Sequence, residues 1–437
     1  MNFVAADLGA SSTRYCSDNG IISVSPNNMV FLPTMDVSLI QPDANDIESS
    51  LEVQIVKHET DNLGYFPANV LMGIMAEKHR NLDERPSVNS HKHVQRINYI
   101  SAIVAAALSK IKFDLSDTLD LYLATPPIEV HDAEVAFRQG LKGTYTVTFP
   151  KYMGGTVVNF KVDDVYCYEE SFMASTSFFF NLNGTPKDSN KKYLSGTVLS
   201  LDIGASTTDL AIIKNGRYLD KSGQTYRIGG NVARDNLTDL ICQKYAIDLP
   251  IEDAEKTMAE GRLQLGNTYD DVRDLVDIAK ADLAKQLTNY MQTYFKRVSV
   301  PIQMINAIVV SGGGSMQSQY ANNDGEIVKT SEPMSYYVTK ELVNWSSGTE
   351  VVEYGEEARF ANVKGLFIRA KFNSIKKNQQ TATSAQAVVT PVQAPVHSAP
   401  AATPVAPADT PVAPAATPVA PAAEVTKTAD TPVVTAQ

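Results

Sequence analysis

Two short segments carry the residue types with the clearest chemistry, Val4-Ala5-Ala6-Asp7-Leu8-Gly9-Ala10-Ser11-Ser12-Thr13 and Leu199-Ser200-Leu201-Asp202-Ile203-Gly204-Ala205-Ser206-Thr207-Thr208-Asp209-Leu210. In each, an apolar strand runs into an Asp, a Gly marks a tight turn, and small hydroxyl residues lead into a second apolar strand. Such a turn aims several backbone N–H groups at one anion. Two of them facing each other would grip a triphosphate from both sides. The carboxylates of Asp7 and Asp202 would then hold Mg²⁺ mostly through its waters, because Mg²⁺ keeps much of its hydration shell. One Asp-Gly turn alone reads as the tip of an ordinary β-hairpin; the repeat with matched flanks favours the phosphate reading.

The turns need a frame. From Phe3 to Pro26 the pattern predicts strand, Asp-Gly turn, strand, an Asp18-Asn19-Gly20 hairpin turn of type I′ and a further strand. The second half restarts with a strand over Thr197–Leu201, the second Asp-Gly turn, a strand over Leu210–Lys214 and an Asn215-Gly216 turn. This internal repeat implies two related domains facing a central cleft, where a ligand would sit. Between the repeats, Ile97, Ile100, Ile103, Val104, Ala107, Leu108 and Ile111 recur at helical spacing and predict a helix over 95–112. Leu119–Ala124 reads as a buried strand stopped by Pro126-Pro127, Thr144–Phe149 and Val157–Val165 as a strand pair, and Glu169–Phe180 as a helix. Further helices are expected at about 231–245, 252–264, 268–296 and 355–371. Ala307–Ser311 is a strand that ends in Gly312-Gly313-Gly314. Glycines there let the backbone approach the adenosine part of a nucleotide, and they equally suit a surface turn.

Composition narrows the classes. A formal charge of −11 argues against a broad electrostatic hold on nucleic acid, so no direct nucleic-acid partner is expected. Cys16, Cys167 and Cys242 lie far apart with no Cys-x-x-Cys pair, so neither a disulfide framework nor a zinc site is indicated, which fits a reducing cytoplasm. No stretch reaches the roughly 18 apolar residues of a membrane span, so a cytoplasmic protein without a membrane partner is expected. His91-Lys92-His93 lies in a polar stretch with no third ligand nearby in the sequence, so a solvated loop is expected there and no metal is assigned to it. Beyond Asn378 the composition turns to Ala, Pro, Thr and Val, with Thr-Pro-Val-Ala-Pro-Ala recurring at Thr403, Thr410 and Thr417. So much proline builds no core and predicts a disordered, extended tail over 378–437.

Five elements, Asp7–Thr13, Glu170-Ser171-Phe172-Met173-Ala174, Asp202–Asp209, Ser311–Ser315 and Ala358–Gly365, stand in an order that resembles the actin-like ATPase superfamily. Within it, Leu123-Ala124-Thr125-Pro126-Pro127, Gly155–Val165 leading into Tyr168-Glu169-Glu170-Ser171, and Phe360–Leu366 are similar to the ParM and Alp group of bacterial plasmid-segregation actins. In the second phosphate turn Ala205 and Ser206 replace glycines common in the group, and the proline-rich tail is not part of its usual pattern.

The resemblance implies an α/β, actin-like fold. Its two related domains, 1–180 completed by 355–375 and 195–350, would enclose a nucleotide cleft. It also implies ATP and Mg²⁺ as cofactors. Asp7 and Asp202 would orient the metal and its waters, and Gly9, Ser12, Thr13, Gly204, Thr207 and Thr208 would contact the phosphates. Glu170 would position the attacking water, with Glu169 as the competing choice. Gly229, Gly230, Asn231, Gly312, Gly313 and Gly314 would flank the adenosine. A charged face on a surface helix explains Lys256, Glu260 and Arg262 as well as a nucleotide contact does. The implied function is ATP hydrolysis coupled to head-to-tail filaments that move plasmid DNA through a DNA-binding adaptor protein. A phage or chromosomal DNA-positioning actin is a close variant, and a sugar kinase or DnaK-like ATPase is the non-polymerising alternative.

Overall fold

The computed structural model describes residues 2–10, 12–32, 50–77, 84–87, 90–151, 155–316, 318–321, 326–343 and 348–387. The first half of the chain builds a nine-stranded sheet from β1 (Phe3–Leu8), β2 (Ser12–Ser17), β3 (Ser23–Pro26), β4 (Met29–Phe31), β5 (Ser50–Lys57), β6 (Ala68–Gly73), β7 (Thr118–Thr125), β8 (Gly143–Phe149) and β9 (Thr156–Glu169). Their spatial order is β3-β2-β1-β7-β9-β8-β5-β6-β4. Helices α1 (Ile74–Glu77), α2 (Arg96–Phe113) and α3 (Val130–Leu141) accompany this sheet, and α4 (Glu170–Phe179) leaves it without a loop after β9.

A second sheet is built on β10 (Thr197–Ile203), β11 (Thr208–Lys214), β12 (Arg217–Tyr218) and β13 (Gln224–Tyr226). Next come α5 (Gly230–Tyr245), α6 (Ile251–Glu260), the hairpin β14 (Arg262–Leu265) and β15 (Thr268–Asp271), and α7 (Arg273–Val298). Strand β16 (Ala307–Ser311), the hairpin β17 (Gln319–Ala321) and β18 (Ile327–Lys329), α8 (Met334–Leu342), β19 (Glu350–Glu353) and α9 (Ala361–Ala387) complete the described chain. The second sheet runs β12-β11-β10-β16-β19.

The repeat read from the sequence is present in strand direction as well as order. Strand β1 is antiparallel to β2 and parallel to β7, which is parallel to β9. Likewise β10 is antiparallel to β11 and parallel to β16, which is parallel to β19. All six residues of β1 are buried, as expected for strands covered on both faces. Tyr99, Ile100, Ile103, Val104 and Leu108 of α2 pack with Val4, Ala6 and Leu121 in the first core. Leu283, Leu287 and Met291 of α7 pack with Leu199, Leu201 and Ile308 in the second. Helix α4 joins the two halves: the Ser200 hydroxyl of β10 donates to the Ser171 carbonyl at 2.8 Å. Helix α9 crosses α4 so closely that a Cβ on Gly365 would stand 2.0 Å from the Met173 carbonyl oxygen.

Several expectations are corrected. The helix expected over 252–264 stops at Gly261, whose φ of +63° is left-handed, and Arg262 opens a hairpin that occupies the start of the helix expected over 268–296. Pro126-Pro127 ends β7, and the helix α3 that follows was not read from the sequence. Only the second Asn-Gly pair has the two positive φ angles of a type I′ turn, 52° at Asn215 and 69° at Gly216. At Asn19-Gly20 only the glycine is positive, and its N–H donates to Ser17 at 2.8 Å. Helix α9 continues to Ala387, beyond both the expected end at 371 and the expected start of the tail, since neither Gly nor Pro interrupts the chain between Gly365 and Pro391. Residues 388–437 lie outside the described residues, as do 33–49.

Candidate functional site

Both Asp-Gly hairpins open on one cavity of about 770 Å³. Their registers match: Asp7 stands opposite Arg14 in the first, and Asp202 opposite Asp209 in the second. Asp7, Gly9, Glu170, Asp202, Gly204, Thr207, Gly230, Asn231, Gly312, Gly313 and Gly314 all line the cavity. Four expected residues do not. Thr13 and Thr208 are fully buried within their strands, and the Thr208 hydroxyl donates to the Ile228 carbonyl at 2.6 Å. Ser12 pairs with Pro26 in the β2–β3 ladder. Gly229 sits behind the second turn, where a Cβ would meet the carbonyl oxygens of Gly204 and Ala205 at 2.6 and 2.7 Å. Glu169 caps the start of α4 beside Tyr218, off the cavity wall, whereas Glu170 faces in. Helix α6 reaches the cavity through Glu255, Met258 and Ala259; Lys256, Glu260 and Arg262 do not line it, and Arg262 pairs with Glu260 at 2.8 Å.

The second turn is bolted to its neighbours through backbone. Gly204 and Ala205 carbonyls accept the N–H groups of Gly230 and Asn231 at 2.9 and 2.7 Å, so the N-terminus of α5 abuts the turn and its positive dipole end faces the cavity. Gly312, at φ +89°, leaves room for Asp202: a Cβ there would lie 2.5 Å from Oδ1. The Gly204 N–H is already given to Thr207, whereas the amides of Ala205 and Ser206 have no acceptor among the described residues. They leave the turn with two backbone donors that the described residues do not use, a group of the kind that suits an anion.

The two carboxylates differ in their surroundings. Asp7 Oδ2 lies 3.4 Å from Arg14 Nη1, and its pKa is raised by burial against the pull of Arg14 and Lys92. Asp202 is held by Asn362 Nδ2 at 2.9 Å and the Ser311 hydroxyl at 3.2 Å. Burial, reinforced by the charges of Glu170 and Asp7, still pushes it up to about 7. Asp209 accepts the Thr225 hydroxyl at 2.5 Å, and burial together with Glu170 raises its pKa well above its ordinary value. Glu170 itself receives Lys92 Nζ at 2.5 Å. Burial weighs against the charged ammonium of Lys92, but Glu170 and Asp7 outweigh it and hold the pKa up.

Sequence reading missed Lys92, Arg14, Asn362 and Lys280. Asn362 lay in the closing segment quoted above, and Lys92 between two histidines; their side-chain targets come from distant elements. Lys280, on α7, lines the cavity with its Nζ 2.6 Å from the Ser331 hydroxyl, and burial lowers its pKa to about 8.

Residues 200–320 match the family model described as "Archaeal actin homologue MreB-like, C-terminal". No curated protein sequence matches the chain. Three solved structures show its likeness in three dimensions. The archaeal actin homologue Ta0583 superposes with a TM-score of 0.63 at 16% identity, covering 85% of this chain and 100% of that one. Actin-like protein Alp7A gives 0.63 at 16%, covering 87% and 98%. Bacillus thuringiensis ParM with ATP gives 0.60 at 16%, covering 86% and 99%. With its repeated sheet frame and paired turns, this chain has the actin-like fold and is similar in structure to ParM and Alp7A.

Proposed function

We propose that the protein binds ATP with Mg²⁺ in this cavity, hydrolyses it, and assembles head to tail into filaments whose stability follows the bound nucleotide. One observation carries the reading: two Asp-Gly hairpins of matching register open on one cavity into which Glu170 also faces. The residues fit a metal nucleotide. Asp202, Asp209 and Glu170 concentrate buried negative charge that a divalent cation would neutralise, and the Ala205 and Ser206 amides beside them suit a phosphate oxygen.

In this reading Asp202 and Asp209, rather than the expected pair Asp7 and Asp202, would hold the cation, and Asn362 and Ser311 fix the angle of Asp202. Bound Mg²⁺ would draw charge from the phosphates during transfer. Glu170 orients the attacking water, and Lys92 fixes Glu170. The N-terminus of α5 and the 312–314 turn flank the adenosine.

Head-to-tail contacts between copies are heterologous and give open polymers when the rotation does not close. By likeness to ParM, the proposed role is plasmid DNA segregation in the cytoplasm through a DNA-binding adaptor protein. No helix among the described residues is long and apolar enough to cross a membrane. Sedimentation and electron microscopy test the reading: filaments form with Mg-ATP or a slowly hydrolysed analogue, and far fewer form with ADP. A protein that turns over ATP yet stays monomeric at high concentration refutes polymerisation and favours the kinase-like alternative.

A further inference from the structure

We propose that His91, His93 and Glu129 form a site for one divalent transition-metal ion, Zn²⁺ above all, at the rim of the cavity and distinct from the Asp202 cluster. The sequence offered only a His-x-His pair, but the fold supplies the third ligand. Glu129 immediately precedes α3 and is brought against the single helical turn Lys92–Val94. Its Oε2 lies 2.9 Å from His93 Nδ1 and 3.3 Å from His91 Nδ1, and the three ligand atoms all lie within 4.8 Å of one another. Zinc bonds of about 2.0–2.2 Å at tetrahedral angles set neighbouring donor atoms roughly 3.3 Å apart, so one ion fits among these atoms with little movement.

The surroundings hold this geometry in place. Glu129 is buried, with its side chain 3% exposed, and its other oxygen accepts the Lys92 backbone N–H at 3.1 Å. That bond fixes the carboxylate and leaves Oε2 for the imidazoles. All three carbonyls of the histidine segment are pinned: His91 by Gln95 at 3.2 Å, Lys92 by Asn98 at 2.9 Å, and His93 by the Tyr99 hydroxyl at 2.8 Å. Two imidazole nitrogens and one carboxylate suit Zn²⁺ and its borderline neighbours, whereas Mg²⁺ prefers an all-oxygen shell. Three protein ligands also leave a fourth position open to water. Lys92 stands between two of the ligands and holds Glu170, so a bound ion stiffens the turn from which Glu170 is positioned.

The test is titration of the untagged full-length protein, free of nucleotide, with Zn²⁺ against a chromophoric chelator, and with Co²⁺ as a spectroscopic probe. One equivalent should bind, excess Mg²⁺ should not displace it, and Co²⁺ should show the intense visible bands of a low-coordinate site. Glu129→Gln and His91→Ala should each weaken zinc binding about 100-fold or more, since even outer-shell changes cost 10–100-fold. His91 is half exposed, so its loss leaves the fold intact even if Glu129→Gln proves unstable by circular dichroism. Asp202→Ala should leave zinc affinity unchanged. Absence of binding at micromolar Zn²⁺, or binding that survives both ligand variants and falls in Asp202→Ala, overturns the proposal.

Discussion

The first and second hairpins share strand order, direction and register, yet across the ladder from the turn aspartate one carries Arg14 and the other Asp209. In the first, an ion pair at 3.4 Å offsets part of the cost of burying Asp7. In the second, the charges acting most strongly on Asp202 are carboxylates, and its pKa climbs to about 7. One backbone frame thus serves two electrostatic tasks. The first hairpin sets a cation, Arg14, beside its aspartate, whereas the second leaves Asp202 among carboxylates; in the proposed function the second is therefore the metal side of the cavity.

The largest expected effect lies at Glu170, between the two hairpins. Glu170→Gln should slow phosphate release on the order of 10²-fold while filaments still form, because positioning of water belongs to the reaction rather than to binding. Unchanged release would remove Glu170 from the chemistry. Asp202→Ala and Asp7→Ala then sharpen the contrast by calorimetry. Asp202→Ala should weaken Mg-ATP binding about 10–100-fold, whereas Asp7→Ala should weaken it less, since Arg14 is freed to face the phosphates. Equal losses would erase the proposed asymmetry.

A smaller effect concerns stability without ligand. Asp202 has a folded pKa near 7, raised above the unfolded value of about 3.8, so the native state holds the extra proton between those limits. Its contribution is fully present below about pH 4 and is lost as pH rises through about 7. Asp202→Asn should therefore raise the melting temperature of the nucleotide-free protein at pH 8 by a few degrees, on the order of 1 kcal/mol, and flatten the pH dependence. Scanning calorimetry at pH 5 and pH 8 checks the sign. The smallest effect is expected at the C-terminus: a chain ending at Ala387, where α9 ends, should keep its melting temperature and its ATP turnover. Loss of either would show that residues 388–437 dock on the core.

What could be read from the sequence follows the range of the interactions. Both Asp-Gly turns, helix α2 and the strand β7 are set by local patterns of apolar residues and turn residues, and they stand where those patterns put them. The hairpin β14–β15 was hidden because Gly261 and Gly266 interrupt a stretch otherwise spaced like a helix. Side-chain pairings between distant elements carried no local signal. Lys92 meets Glu170 across 78 residues, and Asn362 meets Asp202 across 160. Thr13 and Thr208 carried the right chemistry for phosphate, but strand alternation turns them into the protein interior.

The claim that the second hairpin needs a cation to bind nucleotide is tested most directly by calorimetric titration of the wild-type protein with ATP, once with Mg²⁺ and once with EDTA. The account predicts one site per chain with Mg²⁺ and an affinity at least about tenfold weaker in EDTA. Equal affinity in both, or no binding in either, would contradict it.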